Sequence, residues 1–141
     1  MTDGGFKDQI AFNLNALNEM VPYTRLLGIQ LTHVSKTEIH GEMPVTRDIT
    51  NHTPNVHGGA IMSFADALGA VGAFLNMPDG AEGTTTIESK TNFIKPAMVD
   101  DKLIGISRPL SVGRRLSIWQ TDITRNDGKR VAQVTQTQIY L

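Results

Sequence analysis

The sequence predicts an α+β protein in which one antiparallel β-sheet wraps around a long central α-helix, and three observations carry that prediction. A nearly all-apolar stretch of helical length runs over residues 57–76. Turn-bounded segments with strand-like alternation lie on both sides of it, two before and four after. No low-complexity tract, internal repeat or linker divides the 141 residues, so residues 1–141 read as one domain, long enough to bury a core.

Residues 6–27 place Phe6, Ile10, Leu14, Leu17, Met20 and Val21 at helical spacing, and Pro22 marks the end of that run. Residues 1–27 are therefore expected to be an N-terminal helical segment. Residues 28–37 and 38–45 are short alternating runs that read as a strand pair. Residues 46–56 are rich in Asn, Asp, Thr and Pro and read as a loop. The apolar helix follows, closed by Asn76, Pro78 and Asp79-Gly80. Residues 84–95, 102–110, 115–125 and 131–141 then read as strands. Gly113 marks one turn and Asn126-Asp127-Gly128 another. A curved sheet contacts more of a helix's circumference than a flat one, which accounts for a helix apolar nearly all round.

Composition narrows the function. With 40% hydrophobic and 19% charged residues this is ordinary globular composition, and a formal charge of −1 gives no argument for nucleic acid or an anionic membrane as partner. The absence of cysteine excludes disulfides, thiolate metal sites and a cysteine nucleophile, and fits a reducing compartment. The first six residues lack the basic-then-apolar pattern of a signal peptide, so a cytoplasmic location is expected. The apolar run over 60–75 falls short of the ~20 residues of a membrane span and reads as a buried helix. No Gly-x-Ser-x-Gly elbow occurs, and His52 and His57 make only a loose pair, so no metal site is expected.

Asp66 is the only charged residue between His57 and Asn76. A buried carboxylate costs several kcal/mol, about, unless it is paired, solvated or protonated. The functional reading is a general base or nucleophile facing a cleft; the structural alternative is a carboxylate satisfied by nearby backbone or hydroxyl groups. Gly58 and Gly59 stand where a helix's first N–H groups lack partners and its dipole is positive. Without Cβ atoms they let a substrate carbonyl approach those donors, although close packing against a sheet is the other use of such a pair. Gly59 and Asp66 lie seven positions apart, on one face but about 10 Å apart along the axis. A reacting carbonyl needs its donor and its base each within ~3 Å. The spacing therefore predicts a homodimer in which each chain gives its helix start to its neighbour's Asp66.

The pattern Asn51-x5-His57-Gly58-Gly59-x6-Asp66 resembles that of hotdog-fold acyl-CoA thioesterases of the phenylacetic-acid-degradation (PaaI-like) type. So do the run from Thr86 to Ala97, the segment Val112-Gly113-Arg114-Arg115-Leu116 and the final Gly128-Lys129-Arg130-Val131-Ala132-Gln133. The resemblance covers about residues 20–140 and implies the hotdog fold and thioester hydrolysis. It gives Asp66 the catalytic carboxylate, as base or nucleophile, and Gly58 the N–H that polarises the carbonyl. Asn51 matches a polar group that holds the substrate or leaving thiolate, His57 a positioning group, and Thr86 a hydroxyl that orients water. Gly59 belongs to the substrate-binding helix start. No cofactor is implied beyond coenzyme A as part of the substrate, and dimers of this family often pair into tetramers.

Arg114 and Arg115 are candidates for the coenzyme A phosphates, and Lys90 a weaker one; ordinary strand-end charges are the alternative. Residues 6–27, with Phe12, Leu17, Met20 and Tyr23, either cover the acyl pocket or only pack. Two other functions remain open. A non-catalytic acyl-CoA-binding module would keep the pocket without needing Asp66. A hotdog hydratase or dehydratase would use a His/Asp or His/Glu pair, which Asp48, Asn51, Pro54 and His57 match only with the wrong spacing.

Overall fold

The structure is a computed structural model and describes Lys7 and residues 10–141. Its N-terminal part is helical but not continuous. From Leu14 to Leu26 it forms two short helices, α1 (Leu14–Met20) and α2 (Pro22–Leu26). The chain turns before them at Phe12, whose φ of 63° is left-handed, and the Asn13 side chain caps α1 by accepting from the Ala16 N–H at 3.1 Å. Helix α1 ends at Met20, close to Pro22 as expected, and Pro22 then opens α2, because the first helical position needs no donor and suits proline's fixed φ. Phe6 lies outside the described residues.

The remaining elements follow the expected order. Strands β1 (Gln30–Val34) and β2 (Ile39–Pro44) precede a 3-10 turn at Arg47–Ile49 and helix α3 (Gly58–Leu75). Strands β3 (Thr84–Phe93), β4 (Lys102–Val112), β5 (Leu116–Arg125) and β6 (Arg130–Tyr140) complete the chain. All six strands form one antiparallel sheet in the order β1-β2-β4-β5-β6-β3. Strand β3 leaves the helix, runs back alongside it and pairs only with β6, so it stands at the sheet edge. The β5–β6 hairpin closes at Asp127-Gly128, where Gly128 takes the φ of 83° that its turn requires.

Helix and sheet interlock through glycines on both layers. Gly41 and Gly105 face each other across β2 and β4 and open a notch in the sheet that receives Phe64 and Leu68. A Cβ on Gly105 would lie 2.5 Å from Leu68 Cδ1. On the helix, Gly69 and Gly72 open notches for Gln136 and Trp119, which are themselves directly opposite on β6 and β5. Phe64, Leu68 and Trp119 are fully buried, so the interlock is the centre of the core.

The sheet wraps one side of α3 and leaves another open. Ala60, Ile61, Phe64, Ala65, Leu68, Ala73 and Leu75 are buried against it. Met62, Ser63, Asp66, Ala67, Ala70, Val71 and Phe74 instead border a cleft beneath α1 and α2. The helix is apolar nearly all round because one face meets the sheet and another lines this cleft.

Candidate active site

Asp66 lies midway along α3, half-buried at the cleft. The cleft has a volume of ≈ 620 Å³, and Leu17, Met20 and Val21 of α1 and its junction with α2 form one wall. Ile29 and Leu31 form another, while Ala67, Ala70 and Val71 make a floor of mostly small residues running from Asp66 to Phe74. Among the described residues that line it, Asp66 and Glu82 are the only charged ones. Tyr23 and Leu17 are cleft residues, as the covering role requires; Phe12 is exposed in the preceding turn and takes no part.

The antiparallel run of β3 beside α3 brings Thr86 to Asp66. The Thr86 hydroxyl donates to Asp66 Oδ1 at 2.7 Å, and Gln138 Nε2 donates to Thr86 Oγ1 at 2.6 Å. Thr84 donates in turn to Gln138 Oε1 at 3.1 Å. From the neighbouring inward position, Gln136 Nε2 reaches the Asp66 carbonyl oxygen at 3.4 Å. Asp66 Oδ2 has no hydrogen-bond partner among the described residues.

The helix start sorts the two glycines into different roles. His57 is the N-cap, its Nδ1 accepting the Gly59 N–H at 2.8 Å. With Nδ1 accepting, a neutral His57 carries its proton on Nε2. Gly58 N–H finds no partner among the described residues, and a Cβ at Gly58 would lie 3.2 Å from the Phe93 ring. A second cleft, of ≈ 430 Å³, is bordered by Gly59, His57, Asp48, Thr50, Tyr23 and Ser63. The two clefts meet at Tyr23 and Ser63, whose hydroxyls lie 2.9 Å apart, while Ser63 donates to the Gly59 carbonyl at 2.8 Å.

Asn51 shapes the loop that delivers the chain to this helix start. Its Oδ1 accepts from the Thr53 N–H at 2.7 Å and from the Thr53 hydroxyl at 2.6 Å, an Asx turn that leaves its amide donor outward. Arg114 and Arg115 are exposed in the β4–β5 turn and line neither cleft. The Arg115 carbonyl accepts from Tyr140 N–H, and Tyr140 pairs with Thr84, so this turn sits beside the start of β3. Lys90 is exposed on β3, its Nζ donating to Asn92 Oδ1 at 3.0 Å.

Thr84, Gln136 and Gln138 are the site-supporting residues that sequence reasoning missed. The signal was present: alternation along β6 puts Gln136 and Gln138 on the same inward face as Ala132 and Val134. Both glutamines are buried there, and a buried polar pair on an apolar face asks for a partner.

One antiparallel sheet curled around one long helix defines the hotdog fold, and here that helix also carries a carboxylate and a capped glycine start. A thioesterase from Haemophilus influenzae superposes with a TM-score of 0.85 at 23% identity, covering 92% of this chain and 91% of that one. The Escherichia coli PaaI protein of the phenylacetic acid degradation operon superposes with a TM-score of 0.82 at 20% identity, again covering 92% and 91%. In sequence, the 1,4-dihydroxy-2-naphthoyl-CoA hydrolase of Escherichia coli is 28% identical over 118 residues, covering 82% of this chain and 83% of that protein. Residues 53–132, more than half of the chain, match the thioesterase superfamily, and the protein belongs to that family. It is a thioester hydrolase with a PaaI-like hotdog fold.

Proposed function

We propose that the protein hydrolyses an acyl- or aryl-CoA thioester to the free acid and coenzyme A. The observation that carries this reading is Asp66: the lone carboxylate of α3 borders an apolar cleft, one oxygen held by Thr86 and the other unpartnered. In the general-base route Oδ2 takes a proton from water, whose oxygen attacks the carbonyl carbon. The C–S bond then breaks and coenzyme A leaves as a thiolate. In the nucleophilic route the carboxylate forms an anhydride that water opens. Either way the developing oxyanion needs a donor, and the unpaired Gly58 N–H at the positive end of α3 supplies it. Thiolate is a good leaving group, so no serine triad is required.

The cleft takes the acyl group, and the absence of any cation among its described lining residues favours a neutral, apolar one. Asn51 retains an amide donor for the substrate or the leaving thiolate. His57 positions Gly59 rather than taking a proton, because Nδ1 is already an acceptor. That occupancy favours hydrolysis over a hydratase reaction run through His57. Arg114, Arg115 and Lys90 are assigned to the coenzyme A phosphates.

Gly58 and Asp66 of one chain stand about 12 Å apart along the helix axis, so the reading includes a homodimer with shared sites, open to further pairing as a tetramer. Strand β3 supports it: one edge is unpaired, and Ile87 and Phe93 on it are exposed, as are Ile94 and Met98 just beyond.

The test is thiol release from a panel of acyl- and aryl-CoAs by wild type and Asp66→Ala, with sedimentation of wild type and Ile87→Glu. The reading expects a dimeric wild type that releases thiol, an inactive Asp66→Ala and a monomeric, inactive Ile87→Glu. Turnover retained in Asp66→Ala removes the carboxylate mechanism, and a fully active monomer removes the shared site.

A further inference from the structure

Resting on that reading, we infer that Gln138, itself held by Thr84, is a positioning residue that commits the Thr86 hydroxyl to Asp66 Oδ1 and so leaves Oδ2 as the reacting oxygen. The inference comes from counting hydrogens along one buried chain. Gln138 is fully buried, and its amide has two distinct ends. Thr84 donates to Oε1 at 3.1 Å, and Nε2 donates to Thr86 Oγ1 at 2.6 Å. An amide nitrogen cannot accept, so Thr86 Oγ1 must accept there. The one hydroxyl hydrogen of Thr86 is then free to point only elsewhere, and Asp66 Oδ1 lies 2.7 Å away.

The reverse amide orientation fails on the same count. It would aim Oε1 at Thr86 Oγ1, and the single hydroxyl hydrogen would be contested between Gln138 and the Asp66 carboxylate. Two acceptor oxygens would then face each other without a hydrogen at one of the contacts, which in a buried site costs far more than it gains. The Thr84 hydroxyl can pair with either end of the amide, so the Asp66 carboxylate, which needs the Thr86 hydrogen, selects the orientation in which Thr84 donates to Oε1.

This arrangement changes what Thr86 does. Its hydrogen is spent on Asp66, so it does not donate to the attacking water. It fixes which way the carboxylate faces, with Oδ2 turned to accept from water or to attack carbon. Gln136 complements this from the neighbouring inward position by holding the Asp66 carbonyl, and Gly69 makes room for it, since a Cβ there would lie 1.7 Å from Gln136 Nε2. Strand β6 thus supports both the main chain and, through Thr86, the side chain of the reacting residue.

The experiment is a double-mutant cycle on thioester hydrolysis by the full chain, using Gln138→Met, Thr86→Val and the pair, with Thr86→Ser as the conservative variant. Met keeps the volume of Gln138 and removes its donor; thermal unfolding of every variant reports whether the fold survives. A hydrogen bond between two neutral groups that orients the reacting group corresponds to up to about ten-fold in rate. The expected result is a loss of about ten-fold in kcat for Gln138→Met with KM within about two-fold, and a larger loss for Thr86→Val. In the Thr86→Val background Gln138→Met should cost almost nothing more, because it acts through the missing hydroxyl. Thr86→Ser should restore most of the rate and the full sensitivity to Gln138→Met. Additive losses, a change in KM alone, or wild-type kcat in a folded Gln138→Met each overturn the relay while leaving the thioesterase reading intact. A wild type that hydrolyses no thioester overturns both. Should Gln138→Met fail to fold, Thr84→Val cuts the chain one link earlier and is read in the same cycle: a coupled kcat loss supports the relay and an uncoupled one overturns it.

Discussion

Gly72→Ala sets two opposing effects against each other at a site where the structure decides the winner. Gly72 is an interior residue of α3, so alanine gains about 1 kcal/mol of helix propensity. The new methyl, however, would sit 2.5 Å from Trp119 Cη2 and Cζ3 and 2.7 Å from Cε3. Ordinary carbon contacts lie at about 3.5–4.0 Å, so three ring atoms are overlapped by roughly an ångström. The indole cannot retreat: Trp119 is fully buried and its Nε1 donates to Ser117 Oγ at 3.0 Å. Overpacking of this severity costs about 3 kcal/mol, and the net loss is about 2 kcal/mol. For a chain of this size that lowers Tm by about 4–8 °C. The assay is thermal unfolding followed by circular dichroism and by the emission of Trp119, the only tryptophan in the chain. Adding Trp119→Phe, which removes the overlapped ring atoms, should make the alanine less costly than it is in the wild-type background. An unchanged or raised Tm for Gly72→Ala alone would refute the interlock.

Two further outcomes test the helix start and the outer sheet face. His57→Ala removes the cap on Gly59 N–H and should cost about 1 kcal/mol in urea unfolding, whereas His57→Asn, a good capping residue, should recover most of it; equal losses would discard the capping role. The Glu38 carboxyl is held below its ordinary 4.5 by the hydrogen bond with His40 first and that from Arg108 second. A lowered folded pKa means the stabilisation is fully present above the unfolded value and is lost as pH falls through the folded one. The urea midpoint of wild type should therefore fall more steeply below about pH 4.5 than that of Glu38→Gln, and parallel slopes would contradict it.

The order of elements was legible because each rests on local chemistry. Alternation marked the strands, Asn126-Asp127-Gly128 marked the last hairpin, and the apolar run from His57 to Asn76 marked α3 to within its two caps. The N-terminal segment was legible as helical, but spacing alone carries no record of its breaks. Phe12 in a left-handed conformation and Pro22 in its favoured first position break the run. Asp66 stood out as a charge without a visible partner. Thr86, twenty residues on, was reached only through the family resemblance, and Gln138, more than fifty beyond that, not at all, since only the β3–β6 register joins them. Nor does the sequence reveal what Gly69 and Gly72 do, although each is cut to the shape of one side chain on the sheet.

Those notches bear on how such a protein can diversify. With Gly41 and Gly105 seating the helix from below and Gly69 and Gly72 seating the sheet from above, α3 is indexed along its axis like a shaft in a keyway. Asp66 therefore stays in register with Thr86 whatever happens on the other side of the cleft. The wall formed by Leu17, Met20 and Val21 belongs to short helices outside that keyway. Leu17 is fixed by the core, but the half-buried Met20 and the exposed Val21 can be exchanged for larger or smaller residues, recutting the cleft while Asp66 stays where the glycines put it.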